Sequence, residues 1–275
     1  MPNSELQGKI VILTGAAVGI GKSLAEAFVE QGIRVAALDI DHAGVMALQD
    51  SYGKDRLLAL KTDVSDPSSC EAQVAKAVSH FGGVDILVNN AALGMNAVHP
   101  RYQIKNMQIE DVSEATWHRF MMVNVCGPFF MARQVVPLLR KRGWGRIVNV
   151  GTSFFTMLRP GFSPYGPSKA AIEAYTLMLA RELEGTGITA NVVLPGGPVN
   201  TQMVPDEEGL DRATLLPVEI MAPPMLGLFT KAADGITGQR ILGVDWDPAN
   251  PDPSKQKMRS AAWPELAVPL ASVSK

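Results

Sequence analysis

Short runs of β-branched and aliphatic residues alternate along the chain with longer stretches whose apolar positions recur at helical spacing. Strands are expected at Ile10–Leu13, Arg34–Leu38, Leu57–Lys61, Val84–Val88, Arg146–Val150, Thr189–Leu194 and Ile241–Val244. Most of these runs do not alternate between polar and apolar residues, as expected where helices cover both faces of a sheet. Helices are expected at Ile20–Gln31, Pro67–Phe81, Ser113–Arg142 and Pro164–Leu183. Repeated βα units of this kind predict one doubly wound α/β sheet of seven parallel strands with helices on both faces. Two stretches break the rhythm: a long connection at Leu93–Asp111 and a Pro-, Met- and acid-rich lid candidate at about 201–224. The main domain is expected over 1–246. The tail 247–275 carries several prolines with Trp263 and Leu266, which predicts docking onto the body rather than free disorder.

Composition narrows the function. The chain has 275 residues, 47% hydrophobic and 19% charged, with net charge −2. That balance lacks the basic field needed to bind nucleic acid, and the absence of a long uninterrupted apolar run or of a leader-like amino end predicts a cytoplasmic protein without a membrane role. Cys70 and Cys126 have no close His or Cys in metal spacing, so buried thiols are expected and no metal site.

After the first strand, Gly15, Gly19 and Gly21 punctuate a turn that opens into a helix, the setting in which backbone amides and a helix amino end can hold a diphosphate. A P-loop is disfavoured because its first glycine falls on Ala16. Asp39, closing the second strand, can accept hydrogen bonds from both adenosine ribose hydroxyls and would repel a 2′-phosphate, which favours NAD over NADP. Asp41 suits a helix N-cap better. Asp63 and Val64 can bracket an adenine. Tyr165 and Lys169 lie four apart with Pro167 in a first helical turn, so both project from one face, where an ammonium group can favour the phenolate and make it a general acid/base.

The sequence resembles the short-chain dehydrogenases/reductases from Lys9 to about Val244. The residues that carry the resemblance are Thr14-Gly15 with Gly19-Ile20-Gly21, Asn89-Asn90-Ala91, Asn124, Thr152-Ser153, Tyr165 with Lys169, Pro195-Gly196 and Ile236-Thr237-Gly238-Gln239. The resemblance implies a Rossmann-type domain, a nicotinamide cofactor, hydride exchange with a secondary alcohol or ketone, and a homotetramer or homodimer. By the same token Tyr165 moves the hydroxyl proton, Lys169 lowers the tyrosine pKa and binds the nicotinamide ribose, Asn124 holds a helix bend and a water, and Thr201 meets the nicotinamide or diphosphate. The family's serine position falls on Thr152 by spacing, while Ser153 has the usual residue type; the permissive Gly151 backbone favours Ser153. Ala92 and Val244-Asp245-Trp246 depart from the family pattern. Phe154, Phe155, Met157, Met203, Met221 and Met225 are candidate substrate contacts, and His99, Arg101 and His118 candidate cationic groups near the long connection. The rival reading is a nucleotide-sensing binding protein without chemistry, for which a Tyr/Lys/Asn relay has no use.

Overall fold

The computed structural model describes residues 3–105, 107–206 and 210–263. Its strands are β1 (Ile10–Thr14), β2 (Arg34–Asp39), β3 (Leu57–Lys61), β4 (Ile86–Asn89), β5 (Gly145–Val150), β6 (Ile188–Leu194), β7 (Gln239–Leu242) and β8 (Arg259–Ser260). They form one sheet in the order β3-β2-β1-β4-β5-β6-β7-β8. β1 to β7 are parallel, and β8 joins β7 antiparallel with Gln239 opposite Ser260. The seven expected parallel strands are present, and the eighth comes from the tail.

Each strand feeds two cores because successive side chains point to opposite faces. Val11, Leu13, Val35 and Ala37 pack on one side with Leu24, Phe28 and Val29 of α1 (Gly19–Glu30). Ile10, Ile12, Ala36 and Leu38 pack on the other with Val74 and Ala77 of α3 (Pro67–Phe81). A helix not anticipated from the sequence, α2 (His42–Tyr52), links β2 to β3; it buries only Val45 and Leu48, too thin a stripe to stand out as a period. Asp41 caps it, accepting from the Gly44 amide at 3.1 Å.

The expected helix at Ser113–Arg142 is continuous over Glu114–Arg142 but changes winding. α4 (Glu114–Phe120) passes through a π-helical stretch, Met121–Cys126, into α5 (Gly127–Arg142). By length and composition it could cross a bilayer, yet Met131, Val135 and Leu139 bury its α5 half against the sheet. Cys70 is buried, whereas Cys126, at the π-to-α junction, is only half-buried. The chain continues through α6 (Phe154–Leu158), α7 (Tyr165–Glu182) and α8 (Ala222–Leu228).

The last parallel strand ends two residues earlier than expected, because Gly243–Asp245 form a 3-10 turn that drives Trp246 into the core against Gly227. The tail up to Trp263 is docked, as β8 and the contact of Trp263 with Phe154 at 5.0 Å show; Leu266 lies outside the described residues. Docking brings the tail to a buried ion pair. Arg240 of β7 donates to Glu173 of α7 at 2.6 Å and to the Thr152 carbonyl at 2.8 Å, and its guanidinium lies 4.0 Å over Phe154. Burial pushes the Glu173 carboxyl up, while Arg240 and the Ala262 amide pull it down.

Breaking one side of such a pair leaves a buried charge alone. Arg240→Met is therefore expected to lower unfolding free energy by about 3–5 kcal/mol, and adding Glu173→Leu to restore much of that loss. Urea unfolding of the two variants checks this; an unaltered midpoint for Arg240→Met removes the pair from the stability of the fold.

Candidate active site

The strand order reverses between β1 and β4, whose neighbours continue in opposite directions, so their carboxyl ends leave a crevice. The β1–α1 turn lines it. Gly15 sits at φ 67°, and a Cβ there would lie 2.7 Å from the Ala91 Cα; a Cβ on Gly21 would overlap the Gly15 carbonyl. Both glycines are thus required by the packing of the loop on β4, and Gly19 faces Thr201, whose methyl carbon would lie 3.1 Å from an added Cβ. Asn90 ties the turn down, donating to the carbonyls of Thr14 at 3.1 Å and Gly15 at 2.9 Å. Val18 at the N-cap of α1 offers no side-chain cap, so the helix amino end keeps its donors for an anion.

A cleft of about 430 Å3 runs along this turn, lined by Gly15, Gly19, Ile20, Gly21, Asp39, Asp63, Val64, Asn90, Ala91 and Thr201. Asp39 is held in place at the tip of β2: its carboxylate accepts from the Ala17 amide and the Asp41 amide, both at 2.9 Å. The side chain after it is Ile40, which is exposed, so no cation faces Asp39 from the next position. Asp63 spends one oxygen on Ser65, accepting from its amide at 2.9 Å and its hydroxyl at 2.6 Å, while buried Val64 forms the cleft floor. A capless helix amino end, a carboxylate fixed at the tip of β2 and a small-residue turn fit a dinucleotide.

A second cavity of about 470 Å3 adjoins the first and shares Ile20, Asn90, Ala92, Thr201 and Met203 with it. Thr152, Ser153, Tyr165, Lys169, Pro195 and Gly196 line it. Tyr165 and Lys169 are one turn apart on α7, with the ammonium 5.9 Å from the ring centroid. Burial pulls Lys169 down to about 8, and its one hydrogen bond among the described residues goes to the Val150 carbonyl at 2.8 Å, leaving donors free toward the cavity. Burial pushes the Tyr165 phenol up to about 12, opposed by a hydrogen bond with the Thr152 side chain.

The neighbouring hydroxyl has a local partner of its own. Ser153, favoured from the sequence, is the N-cap of α6: its Oγ accepts from the Thr156 amide at 3.1 Å and meets the Thr156 hydroxyl at 2.9 Å. Ser153 thus serves as a helix cap while also lining the cavity, and Thr152 is the side chain that opposes the rise of the Tyr165 pKa.

Asn124 stands in the π-helical stretch, where the extra residue turns its side chain into the protein. Its Nδ2 donates to the Leu93 carbonyl and to Ser168 Oγ, both at 3.0 Å, and its Oδ1 accepts from the Leu93 amide at 2.8 Å. It therefore joins the start of the 93–111 connection to α7 next to Lys169. No spacing signals a further buried relay, in which Asn89 donates to Asn149 and Asn149 to Thr176, each at 2.8 Å.

Of the expected substrate contacts, Phe155 and Met203 line the cavity. Phe154 instead stacks on Trp263, Met157 is the buried residue of α6 and does not line this cavity, and Met221 and Met225 are fully buried in the core that α1 shares. His99, Arg101 and His118 are not among its lining residues; Met95, Tyr102, Gln103, Arg159 and Phe162 are, none of them singled out by spacing. The lid candidate is pinned where it begins: Arg212 donates to Asn200 Oδ1 at 2.6 Å and to the Val204 carbonyl at 2.9 Å, and Val199 bridges to Leu216.

Known proteins resemble the chain over most of its length. The family model described as short chain dehydrogenase matches residues 9–209. A 3-oxoacyl-[acyl-carrier-protein] reductase of Vibrio cholerae is 35% identical over 192 residues, covering 70% of this chain and 74% of that one. An NADPH-dependent aldehyde reductase-like protein of Arabidopsis thaliana is 34% identical over 215 residues, covering 74% and 76%. Among solved structures, 3-ketoacyl-(acyl-carrier-protein) reductase from Brucella melitensis complexed with NADH superposes with a TM-score of 0.76 at 30% identity, covering 86% of this chain and 96% of that one.

The lowered Lys169 pKa has a signed consequence for the cofactor-free protein. Between about pH 8 and its unfolded value near 10.5 the unfolded chain binds the extra proton, so this residue makes stability rise with pH there. The difference in unfolding free energy between wild type and Lys169→Met should change by on the order of 1 kcal/mol per pH unit from pH 8 to 10. Denaturation at stepped pH measures it, and a flat difference denies the shift.

Proposed function

The chain belongs to the short-chain dehydrogenase/reductase family, a nicotinamide-dependent oxidoreductase by that membership, and we propose that it interconverts a secondary alcohol and a ketone with NAD(H). The observation that carries the proposal is the meeting of Tyr165, Thr152 and Lys169 in one cavity that opens onto the dinucleotide cleft. A bound nicotinamide supplies or accepts the hydride. Tyr165 Oη gives its proton to the carbonyl oxygen in reduction and takes it back in oxidation. Thr152 Oγ1 donates to the same substrate oxygen, holding it where negative charge develops. The Lys169 ammonium, anchored on Val150, lowers the cost of the phenolate and has donors left for the nicotinamide ribose. Asn124 acts through others, fixing α7 against the 93–111 connection. The helix amino end at Gly19–Gly21 and Thr201 take the diphosphate, and Asp39 the adenosine ribose.

NAD(H) is preferred because a 2′-phosphate would meet the Asp39 carboxylate with like charge. This bears on the name of the Arabidopsis relative, which uses the phosphorylated form. Titration with NADH and NADPH at one salt concentration should show NADH binding at least tenfold tighter; equal or tighter NADPH binding defeats the assignment.

Tyr165→Phe is expected to lose about 10²–10⁴-fold in kcat while cofactor affinity stays near that of the wild type. Thr152→Val should lose on the order of 10²-fold in kcat, as for removal of one preorganised donor. Ser153→Ala should instead act on stability, by about 0.5–2 kcal/mol through the lost helix cap. Steady-state kinetics with a panel of secondary alcohols and ketones, beside thermal unfolding, separates them. If Ser153→Ala is the variant that loses turnover, the roles of the two hydroxyls are reversed.

A further inference from the structure

The cavity around Tyr165 is electrostatically one-sided. Its ionisable lining residues are Tyr102, Arg159, Tyr165 and Lys169, with no carboxylate among the described ones. Lys169 is anchored on Val150 beside Tyr165. Arg159 has no such commitment: among the described residues its guanidinium donates no hydrogen bond that holds it and forms no ion pair, whereas Arg146, Arg212 and Arg240 are each tied to a carboxylate.

Arg159 is nevertheless held. It is half-buried at the end of α6, seven residues after Thr152 and six before Tyr165, where the backbone turns extended. Its guanidinium lies 4.4 Å over the Phe162 ring, and Phe162 in turn packs edge-on against Tyr102 at 5.7 Å. Stacking restricts the plane of a guanidinium while leaving its N–H edge open for two parallel hydrogen bonds. Lys105 borders the adjoining cavity that Arg159 and Tyr102 also line, adding positive charge on that side. Met95, Met203 and Val204 fill the wall with apolar surface, which suits a short hydrocarbon link.

We propose that Arg159 is an anion subsite, and that the substrate carries a carboxylate or a phosphoryl group on the same small molecule as its reacting carbon. Arg159 takes the anion through its N–H edge, and the anion's position sets the reacting oxygen between Thr152 and Tyr165. This rests on the oxidoreductase reading and adds the substrate class to it. It also differs from a substrate carried on a protein, which is what the names of the Vibrio and Brucella reductases specify.

The test uses ketones of one carbon skeleton ending in a carboxylate, a phosphate monoester or a neutral carboxamide, with NADH and the full-length chain. Wild type should show a kcat/KM at least tenfold higher for one of the anions than for the amide. Arg159→Gln should reduce that anion-to-amide ratio tenfold or more, chiefly through KM, and Arg159→Lys should recover part of it. The arm with the larger loss identifies carboxylate or phosphoryl. A wild type that treats the amide as well as both anions, or an Arg159→Gln that keeps the ratio, overturns the proposal. Calorimetric binding of the corresponding saturated acid, phosphate and amide, which cannot be reduced, decides the subsite without turnover: an anion must bind more tightly than the amide to the wild type and lose that advantage in Arg159→Gln. If no ketone is reduced yet this binding pattern holds, the oxidoreductase reading fails and the subsite stands; if the pattern is absent, the subsite fails whatever the turnover.

Discussion

The hydroxyl of Thr14 accepts from the Asn90 amide at 3.0 Å and the Ala91 amide at 3.1 Å, and lies 3.4 Å from the Val88 carbonyl to which it donates. This one side chain closes the carboxyl end of β1 onto that of β4, where the strand order reverses and the sheet itself stops supplying partners. Gly15 can approach Ala91 because the two ends are held this closely, and Asn90 can then reach back to the carbonyls on either side of the turn. The helix amino end, the tip of β2 and the edge of the cavity around Tyr165 all take their positions from that junction. An unpaired polar group there would be costly, so the loop has little freedom to relax toward a different cleft.

On the other side of the cavity order comes from residues that touch no reacting atom. The π-helical stretch spends one extra residue to aim Asn124 at Leu93 and Ser168, and the relay Asn89, Asn149 and Thr176 binds β4, β5 and α7 together within the core. Burying such polar side chains is tolerated because nearly every one has a partner, and the result is a fixed spacing between the strand ends and the helix bearing Tyr165 and Lys169.

The parallel strands were legible because both their faces are buried, which leaves uninterrupted aliphatic runs that nothing else in the sequence imitates. α2 was hidden by its two buried positions, and β8 by being two residues long, with its partner chosen by the fold rather than by any local pattern. Tyr165, Lys169, Asn124 and the glycine turn were legible through their spacing. The capping role of Ser153 was not, since it turns on where α6 begins. Arg159 was invisible for another reason. Its significance lies in the acidic residues that fail to surround it, a property of the assembled cavity that no stretch of sequence displays.

The docked tail ties distant parts of the chain into one mechanical unit. Trp263 lies on Phe154, Phe154 lies under Arg240, and Arg240 grips the carbonyl of Thr152, so a residue more than a hundred positions away stands three contacts from the hydroxyl that meets Tyr165. Ala262 and Trp263 hold left-handed backbone angles of 57° and 53° to make that turn, a conformation that side-chain-bearing residues adopt only under constraint. Sequence drift along 259–263 is thereby coupled to the segment after β5 that carries Thr152.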